Sequence, residues 1–104
     1  MIDLLYIYQY SFTDDYFKAH SIVLKNIGTD WSKLVTFLDP EIDTAVIRDQ
    51  NRNNVYDQGL EALKRWSQKH PADATVANLE RGLKEIDRND IIVAIKNNYQ
   101  QIDS

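Results

Sequence analysis

The sequence predicts an all-α fold, an antiparallel bundle of about six helices. Three observations carry that expectation. Apolar residues recur at helical spacing in successive segments, as in Trp31, Leu34, Val35 and Leu38. Caps and breakers separate those segments, at Gly28 and Asp30, Asp39-Pro40, Asn54, His70-Pro71 and Asp73. Beyond the first dozen residues, no alternating run reads as a strand.

Residues 1–12, MIDLLYIYQYSF, differ from the rest. Tyr6, Tyr8 and Tyr10 alternate with Leu5, Ile7 and Gln9, a pattern that favours an extended segment. It reads as an N-terminal arm that pairs with a partner, or as a linker from a preceding domain. Thr13-Asp14-Asp15 then supplies a capping hydroxyl and two carboxylates for the positive first turn of helix 1. Tyr16, His20, Val23, Leu24 and Ile27 form its apolar stripe, and His20 reads there as a packed side chain. Gly28 ends the helix in the left-handed conformation. Asp30 is the expected N-cap of helix 2, whose first-turn Trp31 is a large apolar anchor.

Asp39-Pro40 reads as the cap and first position of helix 3, with Ile42, Val46 and Ile47 inward. Asn54 caps helix 4, which turns Val55, Ala62, Leu63 and Trp66 inward. Gly59 sits mid-helix at a cost of about 1 kcal/mol relative to alanine, so a close helix approach is expected there. Leu60 falls off the stripe, as a scattered surface leucine or part of a contact patch. Asp73 is the expected cap of helix 5, with Val76, Leu79, Leu83 and Ile86 inward and Gly82 permitting close packing. Helix 6 presents Ile91, Ile92 and Ile95, with Tyr99 and Ile102 extending that face.

These segments carry motifs that resemble the death-domain family, a helical protein-interaction module. The turn from Asn26 to Leu38 starts the likeness. Leu63-Lys64-Arg65-Trp66 is similar to the family's Leu-x-x-Trp near the end of its fourth helix. Ala74-Thr75-Val76-Ala77-Asn78-Leu79 is similar to the opening of the fifth, and Arg88-Asn89-Asp90 to the start of the sixth. Within the family the likeness is greatest to the Fas-associated adaptor branch. The receptor-interacting kinase and insect immune-deficiency adaptor branches are also similar. The resemblance implies a six-helix Greek-key bundle over residues 13–104, preceded by the arm or linker.

The composition suits one small domain of 104 residues with 43% hydrophobic and 27% charged content. With no cysteine, disulfides and thiolate metal sites are excluded. The net charge of −4 counts against a nucleic-acid partner. No apolar run reaches the ~18–20 residues of a membrane span, and no signal peptide is visible. His20 and His70 lack a second ligand at helical spacing, and the isolated glycines form no phosphate loop. The expectation is a non-enzymatic cytoplasmic module with no cofactor, metal or small-molecule substrate. A small acidic helical enzyme subunit is the reading outside that class.

The remaining chemistry is surface charge. Asp39, Glu41, Asp43, Arg48 and Asp49 form a mainly acidic set. Lys64, Arg65 and Lys69 form a basic set at the end of helix 4, and Asp87, Arg88 and Asp90 line the corner before helix 6, beside Glu85. Helix-end charge bias alone accounts for part of this. The resemblance implies more: a helix 2–3 face meets a helix 1–4 face, the end of helix 4 meets the corner before helix 6, and helix 3 meets loops. These eleven residues are then the candidate partner-binding set. Their partners are the death domains of a receptor or adaptor, or further copies of this chain. Downstream, the resemblance implies an assembly that leads to initiator caspase recruitment in apoptosis or innate immune signalling. An immune-deficiency-type or kinase-linked adaptor domain is the alternative.

Overall fold

In the computed structural model of the protein, the backbone is described for residues 2–103 and the side chains for residues 15–98. All regular structure among the described residues is helical. In chain order the helices are α1 (Ile2–Ile27), α2 (Trp31–Leu38), α3 (Thr44–Gln50), α4 (Val55–Lys69), α5 (Val76–Glu85) and α6 (Asn89–Asp103). A 3-10 turn, Gly28–Asp30, joins α1 to α2. Helix α2 packs on α4 and α5, α1 packs on α4, α5 and α6, and α3 rests on α4.

The apolar stripes converge as their spacing requires. Val23, Leu24 and Ile27 of α1 meet Trp31, Leu34 and Val35 of α2, and Leu63 and Trp66 of α4, in one buried core. Leu79 and Leu83 of α5 and Ile91 and Ile95 of α6 complete it. His20 is buried on its stripe, as read from its position. Gly28 has φ +55°, the left-handed end expected of it. The two helical glycines mark close approaches. A Cβ on Gly59 would lie 3.1 Å from Leu24 Cδ2, and one on Gly82 would lie 2.7 Å from Leu34 Cδ1.

Several boundaries differ from expectation. Helix α1 continues back to Ile2, across the segment whose alternation favoured an extended arm. Thr13 to Asp15 therefore lie within it rather than at its start. No glycine or proline interrupts residues 2–27, so a helix nucleated by the packed half propagates without a break. The tyrosines of the arm, with Tyr99 and Ile102, lie outside the described side chains. Asp30 makes no capping hydrogen bond, because the 3-10 turn holds it at φ −72°, ψ −2° instead of the extended conformation of a cap. Its carboxylate pairs with Arg88 and Lys33 instead.

Asp39-Pro40 does not open α3. Asp43 does, accepting from the Val46 amide at 3.2 Å. Asp39 accepts from the Glu41 amide in a local turn, which leaves the next aspartate to cap. In α5 the cap is Thr75, which accepts from the Asn78 amide at 3.1 Å, two residues later than Asp73. Asn54 caps α4 as expected, at 3.0 Å from the Asp57 amide. Val46 and Val55 face outward, since Ile47 fills the α3 core position and Val55 stands at the first residue of α4.

Asp39 locks the α2–α3 connection to the end of α4. It is 6% exposed, and its Oδ2 lies 2.9 Å from Lys69 Nζ and 2.8 Å from His70 Nε2. The Lys69 hydrogen bond, aided by the Glu41 amide and His70, holds its pKa down to about 2 against the opposing effect of burial. As a carboxylate Asp39 only accepts, so the His70 Nε2–H donates.

Three outcomes follow. Trp66 is fully buried, so Trp66→Ala should cost about 3–5 kcal/mol in a denaturant melt. A loss under ~1 kcal/mol would contradict the packing described. Gly59→Ala should be near neutral, because its Cβ meets Leu24 at 3.1 Å and the helix gains about 1 kcal/mol of propensity. Gly82→Ala should be net destabilising by about 1–2 kcal/mol, since its Cβ would come within 2.7 Å of the buried Leu34, too close without a shift, and within 3.3 Å of Leu38. Equal melts for the two glycine variants would overturn that distinction.

Stability should also fall in two steps with acid. Burial lowers the His20 pKa from 6.5, so below that pH the unfolded chain takes up a proton that the fold resists. Asp39, lowered from 3.8, adds stability above that value that is lost as the pH falls toward about 2. Asp39→Asn should flatten the lower step, worth about 1 kcal/mol given that the half-exposed Lys69 is screened by water. A pH titration of the chemical melt checks both. An unchanged lower step in Asp39→Asn would remove the lock.

Candidate partner-binding site

The eleven candidate residues fall on three parts of this bundle, and most of their charges already have partners within the chain. Glu41 lies at the α2–α3 connection and accepts from Lys69 Nζ at 3.0 Å. Lys69 therefore bridges Asp39 and Glu41, and joins the expected acidic set to the expected basic set. The bridge raises the Lys69 pKa, chiefly through its hydrogen bond to Asp39. Asp43 is engaged as the α3 cap. Asp49 pairs with Arg52 one turn on, in the open. Arg48 lays its guanidinium 5.4 Å from the centre of the Trp31 ring. Arg65 reaches Glu61 at 3.0 Å and the Gln50 side chain at 2.9 Å.

The corner between α5 and α6 is organised by Arg88. Its Nε and Nη2 bind both oxygens of Asp90, each at 3.1 Å. Nη1 donates to Asp30 Oδ2 and to the Ile27 carbonyl, each at 3.2 Å, and Nη2 donates to the Asn26 carbonyl at 2.8 Å. The side chain thus satisfies free carbonyls at the end of α1 from the far side of the sequence. Lysine, with one nitrogen, lacks the fork that this geometry uses. The Asp90 and Asp30 contacts raise the Arg88 pKa, and Arg88 lowers that of Asp90. Just before it, Asp87 has φ +61°, the left-handed region that aspartate tolerates better than most residues.

Lys64 and Asp87 stand apart from this pairing. Both are exposed, and neither side chain has a partner among the described residues. They carry opposite charges on different elements, α4 and the α5–α6 corner. The sequence placed each in a cluster but gave no sign that these two would be left over. Apolar exposure was also underread. Phe17 on α1 and Leu60 on α4 face solvent beside one groove, and only Leu60 was legible as a residue off its stripe.

Among the described residues no group of three or more side chains could hold a metal ion. None of the described helices is long and apolar enough to cross a membrane. The arrangement offers contact surfaces: paired charges, the unpaired Lys64 and Asp87 of the candidate set, and an apolar groove.

Comparison with known proteins gives this arrangement a family. The chain is 27% identical over 82 residues to ankyrin-1 of the mouse, a match that covers 78% of this chain and 4% of that protein's length. That likeness lends no support to the Fas-associated branch in particular. The family model described as the death domain matches residues 14–99, most of the chain. The death domain is a protein–protein interaction module, and this chain belongs to the death-domain family.

Proposed function

We propose that this chain is the interaction module of a cytoplasmic signalling adaptor. It docks with the death domain of a receptor or another adaptor, and with further copies of its own kind. The resulting oligomer leads to initiator caspase recruitment in apoptosis or innate immune signalling. Family membership supports the domain–domain contact. The match to a small part of a much longer protein supports a module carried within larger chains. The observation that carries the reading is that two members of the candidate set, Lys64 and Asp87, carry opposite charges with no side-chain partner among the described residues.

Charges free of internal partners are those that an incoming surface can use without first breaking a bond. Lys64 attracts an acidic corner, and Asp87 attracts a basic helix end, so related domains meet head to tail through unlike surfaces. Such contacts steer encounter and fix register more than they add raw affinity. Repetition around an assembly then gives avidity. Arg65 and Asp90 border these two positions and contribute as their intrachain pairs exchange for partners.

Charge is best tested where the fold is indifferent. Asp90→Arg would set a guanidinium against Arg88 and loosen the corner. Lys64→Glu and Asp87→Asn avoid that, and asparagine keeps the left-handed backbone at 87 comfortable. Both variants should melt within about 0.5 kcal/mol of wild type. Light scattering of the chain and co-precipitation with candidate death domains should show weaker association for each. On-rates should fall as ionic strength rises toward physiological values. Two variants that associate like wild type, with salt-indifferent kinetics, would sink the reading.

A further inference from the structure

A groove of about 520 Å³ lies between one turn of α1 and one face of α4, and reaches the α4–α5 connection at Pro71 and Ala74. That volume falls within the ~300–1,000 Å³ typical of small-molecule sites. Leu60, Lys64 and Ser67 recur at helical spacing along the α4 wall, which is about 10 Å long between the first and the last of them. Phe17, 59% exposed, and Leu60, 39% exposed, are large apolar side chains that the core leaves unused. The inner wall is already in place. Ser67 donates to the Leu63 carbonyl at 2.7 Å, so the hydroxyl of the buried Tyr16 donates to Ser67 Oγ, also at 2.7 Å. No hydrogen bond there has to break for an occupant to enter.

The charge in the groove has one sign. Lys64 lines it, and its ammonium has no partner among the described residues. No carboxylate is among the lining residues, although the chain as a whole has a net charge of −4. His20 lies with its ring 5.6 Å from that of Tyr16 and 6.4 Å from that of Phe17, and burial among them lowers its pKa. Near neutral pH it therefore adds an apolar-faced ring to the wall and no charge. The groove is a short apolar strip with a single cation on it.

Chemistry complementary to that strip is an apolar body with one negative end. The α1 wall is a single turn, Tyr16 to His20, which matches one hydrophobic group rather than an extended apolar surface. The groove is open along one side, so an occupant can bury its apolar part and leave its charged end beside Lys64 in water. We propose that the α1–α4 groove binds a small amphiphilic carboxylate, its hydrocarbon body between Phe17 and Leu60 and its carboxylate at Lys64. The occupant is a free molecule, not a lipid held in a bilayer. It draws on the same Lys64 as an incoming death domain, so occupancy opposes domain–domain docking. That opposition rests on the function proposed above; the binding does not.

The test titrates decanoate, below its micellar concentration, into the isotope-labelled chain and follows the backbone amides by NMR. Decanol and decyltrimethylammonium serve as neutral and cationic controls, and the chain is kept dilute enough to sediment as a monomer. A saturable, one-site shift of the Phe17, Leu60, Lys64 and Ala74 amides is expected. Decanoate should bind about twofold to fivefold tighter than decanol, the worth of an exposed ion contact, and tighter still than the ammonium. Lys64→Gln should remove that preference and leave decanol binding unchanged. Leu60→Ser and Phe17→Ser should each weaken decanoate binding by about fivefold to tenfold, with melts near wild type as expected for exposed positions. Shifts that fail to saturate, or that cluster outside the groove, overturn the proposal. So do equal binding of the three amphiphiles, a preference that survives Lys64→Gln, and binding undiminished by both serine substitutions. Capture of the chain by anionic phospholipid vesicles without binding of monomeric decanoate means a membrane surface, and the proposal falls. Should Leu60→Ser fail to fold, Phe17→Ser decides the apolar part. No partner domain enters these titrations, so the ligand site and the proposed function fail separately.

Discussion

The domain is arranged around the seating of Trp31. The indole enters the core at the first residue of α2, directly after the 3-10 turn, and is almost fully buried. A buried indole N–H needs an acceptor, and Gln58 supplies it at 3.0 Å. The Gln58 amide in turn donates to the Asn51 carbonyl at 3.0 Å, so one short chain of hydrogen bonds ties α2 to α4 and to the connection behind α3. The next residue, Gly59, has no side chain to hold the helices apart. Arg48 covers the ring from α3. Four elements meet at one side chain, and α3, which gives only Ile47 to the buried core, reaches this group through Arg48.

Charge in this protein is mostly spent on itself. Pairs such as Asp49–Arg52 in open solvent add little to stability. Pairs that cross between elements do more. The Lys69 bridge joins the α2–α3 connection to α4, and Arg88 joins the ends of α1 and α6. The net charge and its clusters, visible in composition, therefore overstate what a partner meets.

The sequence made the helical class and the core plain because periodicity reports burial directly. Trp31, Trp66, Leu79 and Ile95 are where their spacing puts them. Gly59 and Gly82 announced close contacts because glycine mid-helix is unfavourable without one. Cap positions were less legible where acids are abundant. Asp39 and Asp43 are both plausible starts for α3, and only the burial of Asp39 against His70 and Lys69 decides between them. The same limit applies to the surface. Whether Lys64 or Lys69 is free depends on which acids lie nearby in space, such as Asp39, thirty residues earlier in the chain. The α1–α4 groove was half visible, in Leu60, because an apolar residue off its stripe gains meaning only when its neighbour on another helix is known.

The Arg88 corner has a consequence for how the chain acquires its structure. Its donors reach carbonyls 61 and 62 residues back along the sequence. During synthesis the end of α1 emerges long before the residue that caps it. Until the α5–α6 corner arrives, those carbonyls are left to water, and closing so long a loop carries an entropic cost that local helix formation does not repay. The final turn of α1 and the 3-10 turn after it thus depend on a residue made about sixty residues later. A ribosome-bound fragment ending before residue 88 would carry formed helices with an unfinished joint between the first two.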